Sequence, residues 1–425
     1  MQKNEFPHIG ETLYSAQLPN GLELRVVPKA GFNTGYAVFA VNYGGSHRRF
    51  SLGGQELDTP AGVAHFLEHK MFDMPNGDNA LSLLSANGAD PNAFTSSGVT
   101  CYFFQCTRNF EENIRLLLRF VSTPYFTLET VSKEQGIIAQ EIRMGDDSPG
   151  SAIYYNLLEM LYAHHPIRDK VAGTVDSIAQ ISDKVLYDCH KAFYAPGNMT
   201  LCVEGDVDPE RVLAIAEEEL SKDRAEKPRA DFGEAETLLP AETCRRTEMP
   251  VSAPQFLIGS KLQSAPEGRE RLRQQIIGQL ALRMLVGYSS PFYTRLYNSG
   301  LLNRDFDYET DFSAGTATLI IGGESREPEA ALAELKKEAA FIAQNGFDND
   351  YFQRAKRAST GARLRGLEDF ENVCLSVALG IFDGFCAFDS FSVLESVTAE
   401  DCAAFVAEAL APERLALSII EPKRS

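Results

Sequence analysis

Two histidines and a glutamate lie within five consecutive residues, His65, Glu68 and His69 in the segment His-Phe-Leu-Glu-His. Thr59 and Pro60 before them predict an N-cap and a first helical position. On a helix, His65 and His69 are one turn apart and Glu68 projects beside them. Two neutral imidazoles at this spacing are good zinc ligands, and a neighbouring carboxylate can take a proton from a metal-bound water. The pattern predicts a metal-dependent hydrolytic site.

A third ligand must come from elsewhere, because a catalytic zinc normally has three protein ligands and a water. In the helix predicted over residues 128–144, Glu134 and Glu141 share one stripe with Ile137 and Ile138. Burying two carboxylates costs free energy unless a cation lies close to them, and a metal ion would supply that charge. The alternative is a helix rotated so that both acids face the solvent.

The elements that must position these residues form two similar halves. Apolar alternation, apolar runs and turn signals predict strands at residues 22–26, 36–43, 199–205 and 415–420, and helices at residues 112–120, 128–144, 329–344 and 349–365. Each half contains a pair of helices separated by a turn and closes on an apolar strand. We therefore predict an α+β fold of two duplicated units, each a mainly antiparallel sheet with helices packed on one face.

A charged, proline-containing stretch without apolar periodicity separates the two halves. A chain of 425 residues suits two domains of about 200 residues each. We predict that residues 1–221 are a catalytic zinc-binding domain, residues 222–240 a charged linker, and residues 241–425 a homologous domain that binds no metal.

Composition limits the possible partners and location of the protein. The net charge of −19 opposes binding to a phosphate backbone, and it suits either basic peptides or a generally soluble surface. The eight cysteines include no Cys-x-x-Cys pair and are typical of small apolar residues in a reducing compartment. No apolar run approaches the roughly 18 residues that span a bilayer, and residues 1–15 contain no apolar signal segment. We expect a cytoplasmic protein with no nucleic-acid or membrane partner.

Further motifs surround the histidines in a fixed order over residues 20–210. They are Gly62-Val63-Ala64, residues 89–95 followed by Thr100 and Tyr102, the acids Glu134 and Glu141, His165-Pro166, Gly173-Thr174, residues 194–199 and residues 203–206. Together they resemble the pitrilysin family of zinc peptidases, the inverzincins that include insulin-degrading enzyme and the mitochondrial processing peptidases. Lys70 and the chain length are most similar to the short bacterial YfmH-type members.

The resemblance implies a role for each matching residue of the site. His65, His69 and Glu141 are expected to bind zinc, and Glu68 is expected to act as the general base. Glu134 is expected to lie behind the ligands and to steady the site. These roles come from the family, and they agree with the chemistry that the residue types and spacing indicate.

The resemblance also implies that Asn92, Ala93, Phe94 and Thr95 lie on an edge strand that pairs with the substrate backbone. Two alternatives remain open from the residues themselves. Asn92 could be a turn residue after Pro91, and Phe94 could be a core aromatic.

The C-terminal half departs from the family pattern. Family members usually supply an Arg and a Tyr from this half to hold the substrate carbonyl, whereas Tyr297 and Asn303 stand at those positions. Arg295, Arg304 or Tyr308 could substitute, although the spacing does not select one of them. The sequence therefore does not identify a group in this half that stabilises the transition state.

The expected function is that of a zinc-dependent metalloendopeptidase, with Zn²⁺ as cofactor and peptides or small unfolded polypeptides as substrates. One alternative is a non-catalytic binding or scaffold subunit of a heterodimeric peptidase. Another is a purely structural zinc site, which would lack Glu68 and have four protein ligands. Long relatives enclose the substrate with four units, whereas this chain has two. We therefore expect a homodimer, or a heterodimer with a related chain.

Overall fold

A computed structural model describes residues 1–423, and within this range the chain forms fifteen strands and fifteen α-helices. The strands are β1 (Gln2–Phe6), β2 (Glu11–Gln17), β3 (Glu23–Pro28), β4 (Gly35–Val41), β5 (Arg49–Leu52), β6 (Gln55–Asp58), β7 (Ala89–Thr95), β8 (Thr100–Cys106), β9 (Met199–Gly205), β10 (Arg229–Asp231), β11 (Cys244–Met249), β12 (Gln255–Lys261), β13 (Asp307–Asp311), β14 (Thr318–Glu324) and β15 (Ala416–Pro422). The helices are α1 (Val63–Met71), α2 (Ala80–Ala86), α3 (Phe110–Ser122), α4 (Leu128–Asp146), α5 (Pro149–Leu161), α6 (Val175–Ile178), α7 (Asp183–Phe193), α8 (Pro209–Glu219), α9 (Arg269–Val286), α10 (Pro291–Asn298), α11 (Pro328–Asn345), α12 (Asn349–Gly366), α13 (Phe370–Phe382), α14 (Ser390–Ser396) and α15 (Ala399–Ala409).

These elements belong to two compact units, neither of which is contiguous in sequence. Unit 1 consists of Met1–Ile142, Asp169–Phe232 and Leu364–Phe388. Unit 2 consists of Arg143–Arg168, Gly233–Arg363 and the described chain from Asp389 onward. One boundary, between Phe232 and Gly233, falls inside the predicted linker. Each half of the sequence, however, also gives a helix to the unit that is built mainly from the other half.

Unit 1 is built on a seven-stranded sheet in the order β1-β2-β3-β9-β4-β8-β7. Neighbouring strands are antiparallel except β3 and β9, which are parallel. β4 lies between β9 and β8 and is buried along its whole length, so the strand predicted at residues 36–43 is confirmed as a central one. A strand buried on both sides is apolar on both sides, which is why this segment shows no alternation.

Helices cover both faces of this sheet. On one face, α1 and α3 contribute Phe66 and Leu117 to a core that also includes residues of α7 and α8. On the other face, Val373 of α13 packs with Val38 and Cys202. The predicted α+β fold is confirmed, with an additional helix layer supplied by a distant segment. No single helix among residues 1–423 is long and apolar enough to cross a membrane, and α13 passes that test only together with residues 387–396, across a bend of 100°.

Unit 2 repeats this arrangement on a five-stranded sheet in the order β11-β15-β12-β14-β13. Its strands are antiparallel except for the parallel pair β11 and β15. Leu157 and Leu161 of α5 pack against Ile320 and Ala416 of this sheet. A helix from the N-terminal half of the sequence thus covers the sheet of unit 2, as α13 does in unit 1.

The predicted linker, residues 222–240, is partly held by defined contacts. β10 lies within it and pairs with β5 in unit 1. Further along, in unit 2, Glu236 accepts hydrogen bonds from the amides of His164 and His165, at 2.6 and 2.9 Å. Burial would raise the pKa of Glu236, but the backbone amides and the charge of Lys261 lower it to about 2. The segment is therefore held at β10 and at Glu236 rather than freely extended.

Glu204 is a fully buried carboxylate on the face of the unit 1 sheet that α13 covers. It lies opposite Tyr36 of β4, and Nζ of Lys29 is 3.4 Å from its Oε1. Lys29 is also ion-paired with Glu11. Burial raises the pKa of Glu204 to about 8, although Lys29 acts in the opposite direction. The carboxyl group therefore keeps its proton in the folded protein at neutral pH.

We expect Glu204→Gln to change the pH dependence of stability. A carboxyl group whose pKa rises on folding stabilises the protein at low pH, and this contribution is lost as the pH rises from 4.5 to about 8. Near pH 8.5 the Tm of the variant should exceed that of the wild type by at least about 3 °C, and the difference should shrink near pH 5. Calorimetry at both pH values tests this, with the exposed Glu217→Gln as control. An equal Tm difference at both pH values would contradict the assignment.

Candidate metal centre

Helix α1, which carries the two histidines, begins after a glycine with a left-handed backbone. Gly62 has φ 96°, and a Cβ at this position would lie 2.6 Å from the carbonyl oxygen of Ala172. The prediction that the helix starts at Thr59 and Pro60 is wrong. The hydroxyl of Thr59 instead donates to the carbonyl of Arg48, the residue before β5, at 2.9 Å.

His65, His69 and Glu141 come together at this helix. One candidate ligand atom from each lies within 4.8 Å of the others, and this is the one such group found in the part of the chain that the structure describes. Nε2 of His65 is 3.4 Å from Oε1 of Glu141, and Nε2 of His69 is 3.7 Å from Oε2. α1 supplies both imidazoles and α4 supplies the carboxylate.

Glu134 holds His69 from the side opposite Glu141. Its Oε1 is 3.0 Å from Nδ1 of His69. An ionised carboxylate only accepts hydrogen bonds, so His69 donates through Nδ1, and the neutral ring keeps its lone pair on Nε2. Burial would lower the pKa of His69, but the hydrogen bond with Glu134 and the charges of Glu134, Glu68 and Glu141 raise it overall.

The two acids of α4 are not equally buried. The side chain of Glu134 is 16% exposed and that of Glu141 is 49% exposed. Ile138 is buried but Ile137 is 47% exposed, so the prediction that both share the core stripe is wrong for Ile137. The buried residues of α4 are Val131, Ile138, Ala139 and Ile142. This stripe leaves Glu141 at its rim, where a hydrogen bond with His65 lowers its pKa although burial acts in the opposite direction.

The charges around the two imidazoles fit a bound cation. Glu68, Glu134 and Glu141 all act on His69 electrostatically. Lys70 is almost fully buried next to them, but its charge is shared with Asp73 through a close ion pair. With neutral histidines the cluster is net negative, and a divalent cation would relieve the repulsion. Two imidazoles and one carboxylate with a position left for water form a donor set that suits catalytic zinc.

Glu68 lies beside the candidate ligands and is only 7% exposed. Its Oε2 accepts a hydrogen bond of 2.5 Å from Oγ1 of Thr95, the last residue of β7. The family resemblance implied a substrate-pairing role for Thr95 and gave no sign of this contact. The two residues are 27 positions apart and belong to different elements, so no local periodicity could have linked them.

The other three residues of the predicted substrate strand differ in their surroundings. Asn92 is exposed, and its Oδ1 accepts a hydrogen bond from the amide of Ala93 at 2.9 Å. Ala93 packs on the face of the sheet that carries α1. Phe94 packs on the opposite face, with its ring centroid 6.2 Å from that of Phe103. The placement of Phe94 favours the core interpretation of its side chain, and the backbone of β7 lies at the sheet edge.

Unit 2 has an aromatic group where the resemblance predicts an arginine and a tyrosine. Tyr297 is 39% exposed and stacks on Tyr293, with 5.6 Å between the ring centroids. A hydrogen bond with Tyr297 raises the pKa of Arg304. The side-chain amide of Asn303 donates a hydrogen bond to the carboxylate of Glu324 at 2.9 Å. Asn303 is therefore held by an acid of its own unit.

The three possible substitutes differ in how they are paired. Arg295 lies 3.5 Å from Glu334 and 3.1 Å from Glu338. Burial raises the pKa of Tyr308. Within residues 1–423, Arg304 has no carboxylate oxygen within 4 Å. Of Arg295 and Arg304, only Arg295 therefore forms ion pairs with acidic side chains.

The second unit lacks an acidic counterpart of α4. The helix pair α11 and α12 follows the same order as α3 and α4, and each second helix has a capping side chain. Thr127 accepts a hydrogen bond from the amide three residues on, and Asp348 does the same. With these caps aligned, the two glutamates of α4 correspond to Ala355 and Ala362 of α12. Neither side chain can bind a metal.

A duplicated α+β fold with an inverted His-x-x-Glu-His site on its first unit is typical of one class of zinc peptidases. Residues 54–175 match the family model described as Insulinase (Peptidase family M16), and residues 180–359 match the model described as Peptidase M16 inactive domain. The chain is 37% identical over 426 residues to the Uncharacterized zinc protease YmfH of Bacillus subtilis (strain 168), with 99% of both chains covered. The chain belongs to peptidase family M16.

Solved structures agree with this assignment. The putative M16-like peptidase from Alicyclobacillus acidocaldarius superposes with a TM-score of 0.93 at 31% identity, covering 99% of this chain and 100% of that one. Pitrilysin superposes with a TM-score of 0.78 at 14% identity, covering all of this chain and 46% of pitrilysin. At that identity the likeness shows the fold alone.

We expect the wild-type protein to hold about one zinc ion per chain. Glu141→Gln removes a charged ligand and should weaken zinc binding most. Glu134→Gln replaces the charged acceptor for His69 by a neutral amide oxygen and should weaken binding about 10- to 100-fold. Glu129→Gln, an exposed change on the same helix, should have no effect. Elemental analysis and competition with a zinc-binding dye measure these differences.

Two results would contradict this description of the centre. One is a wild-type protein that holds no metal after reconstitution with zinc at neutral pH. The other is equal zinc loss in Glu129→Gln and Glu141→Gln, because only the second of these carboxylates lies beside the histidines.

Proposed function

We propose that this chain is a zinc-dependent metalloendopeptidase that hydrolyses peptides or small unfolded polypeptides. The observation that carries the proposal is the position of Glu68 beside a group formed by His65, His69 and Glu141. A structural zinc site would have four protein ligands and no need for an adjacent base. The name of the Bacillus subtilis relative, a zinc protease, supports the same activity.

Each residue of the site has a distinct task in this reaction. His65, His69 and Glu141 would hold the zinc ion. When bound, the ion would polarise the peptide carbonyl and make a bound water more acidic. Glu68 takes the proton of the attacking water and passes it to the amine that leaves. Glu134 accepts a hydrogen bond from Nδ1 of His69 and so keeps the other ring nitrogen directed at the metal position.

The edge strand β7 is the proposed binding site for the peptide backbone. Among the described strands, β7 pairs with β8 alone, so its outer amides and carbonyls face no other strand of the sheet. An extended peptide can add to such an edge through main-chain hydrogen bonds. Asn92, Ala93, Phe94 and Thr95 would then contribute mainly through their backbone, because the side chains of Phe94 and Thr95 have contacts within unit 1.

A non-catalytic subunit is the second candidate function. Two observations favour it: Tyr297 and Asn303 stand where the family has its carbonyl-binding pair, and residues 180–359 match a model described as an inactive domain. The complete set of metal ligands and base in unit 1 favours the peptidase instead. An assay of hydrolysis separates the two directly.

We expect Glu68→Gln to lower hydrolysis at least about a hundredfold while leaving zinc bound, because the amide keeps the shape but cannot accept the proton. The measurement is digestion of a mixed peptide library, followed by mass spectrometry, with and without a chelator. Glu129→Gln is the matched control and should cut peptides at the wild-type rate. Zinc loss in Glu68→Gln equal to that in Glu141→Gln would show that the roles are assigned wrongly.

We also propose a cytoplasmic location, with peptides rather than nucleic acids or membranes as partners. Six of the eight cysteines are buried and none forms a disulfide among the described residues, which suits reduced thiols. The net charge of −19 opposes association with a phosphate backbone.

The proposed active form is a homodimer or a heterodimer with a related chain. The chain spans 46% of pitrilysin, so a dimer would equal the number of units in that longer fold. An isolated chain would leave the edge strand β7 and the metal centre open to water. A related partner could also supply the donors that Tyr297 and Asn303 do not provide.

We expect the purified chain alone to be a monomer or weak homodimer that binds zinc but hydrolyses peptides slowly. Co-expression with a related chain should give a stable dimer and faster hydrolysis. Light scattering and peptide assays on both preparations measure this. Full activity from a strictly monomeric chain would overturn the proposed assembly.

A further inference from the structure

A chain of hydroxyl contacts connects Glu68 to the body of the unit 1 sheet. Thr95 and Thr100 face each other in register at the β7–β8 turn. Oγ1 of Thr95 is 2.5 Å from Oε2 of Glu68 and 3.2 Å from Oγ1 of Thr100. Oγ1 of Thr100 in turn donates to the buried carbonyl of Tyr43 at 2.9 Å. Within residues 1–423, Thr95 is the one hydrogen-bond donor to the Glu68 carboxylate.

The number of protons fixes the direction of these contacts. Each threonine hydroxyl has a single proton to donate. An ionised Glu68 has none, and the carbonyl of Tyr43 only accepts. Thr95 must therefore use its proton on Glu68, while Thr100 uses its proton on Tyr43. The two hydroxyl oxygens then lie next to each other, and each hydroxyl donates its proton to a different acceptor.

We propose that Thr95 is a positioning residue for Glu68, and this inference rests on the peptidase function proposed above. The hydrogen bond fixes the position of Oε2 of Glu68 and lowers its basicity, so the oxygen without a donor, Oε1, is the better acceptor for the proton of the attacking water. A bond to a charged acceptor is short and strong, so it restrains a side chain that otherwise has several rotamers. The general base is thereby held in one orientation before substrate binds.

The position of Thr95 also connects the base to the substrate strand. Thr95 is the last residue of β7, the edge at which the peptide backbone is proposed to bind. The side chain of Thr95 points to Glu68, while its strand carries the free backbone edge. A peptide that pairs with β7 would therefore be fixed on the same strand that orients the base. Thr95 acts through Glu68 and does not need to touch the substrate with its side chain.

The test compares two changes at this position in the zinc-loaded full chain. Thr95→Val keeps the shape and removes the hydroxyl, and Thr95→Ser keeps the hydroxyl. The valine variant should lose at least about tenfold in kcat, with KM changed less than about threefold and zinc content unchanged. The serine variant should stay within about threefold of the wild type in kcat. Thr200→Val is the matched control, because Thr200 is buried in the same sheet and its hydroxyl has no partner among the described residues.

A second readout does not depend on hydrolysis. Crystal structures of the zinc-loaded proteins should show one Glu68 rotamer in the wild type and in Thr95→Ser, and more than one in Thr95→Val. If the wild type cuts no peptide at all, the peptidase proposal fails while this comparison still tests the positioning role. A rise in KM with unchanged kcat would overturn the inference, because it would make Thr95 a substrate contact. A single ordered Glu68 rotamer in Thr95→Val, or equal loss of kcat in the serine and valine variants, would overturn it as well.

Discussion

The crowding of three carboxylates around two imidazoles is the constraint on which the rest of unit 1 depends. Two unit charges 4 Å apart repel by about 4 kcal/mol at an effective dielectric constant of about 20. Full burial of a Phe or Leu side chain contributes about 1.5–3 kcal/mol. Phe66 and Leu67, next to the candidate ligand His65, are both fully buried, so their burial is comparable in size to one repulsion of that kind. A bound cation would remove most of the repulsion between the carboxylates. The site would then no longer oppose the packing of the core around it.

Each helix of the site is held by packing that does not involve the candidate ligands. α1 is set by the close approach of Gly62 to Ala172, where any side chain would force the backbones apart. α4 is held by its own buried stripe, with Ile138 fully inside the core. The candidate ligands thus gain their geometry from packing, and a metal ion would find them already close together.

The sequence predicted those parts of the site that obey a local period. His65 and His69 are one helical turn apart, and Glu134 and Glu141 are two turns apart on a second helix, so each pair could be recognised by its spacing. The start of α1 was mispredicted, because the choice of Gly62 depends on a contact with a segment more than 100 residues away. The hydrogen bond from Thr95 to Glu68 likewise depends on a tertiary contact, which leaves no periodic pattern in the sequence. The same is true of α5 and α13, each of which packs in the unit built mainly from the other half of the chain.

The reciprocal placement of α5 and α13 has a consequence for how such a chain could arise. A gene that encoded only one of the two halves would produce a sheet with one bare apolar face, since the helix that covers it comes from the other half. Two copies of that shorter protein could exchange their helices and so form a domain-swapped dimer. Joining the copies end to end would turn this exchange between molecules into a contact within one polypeptide.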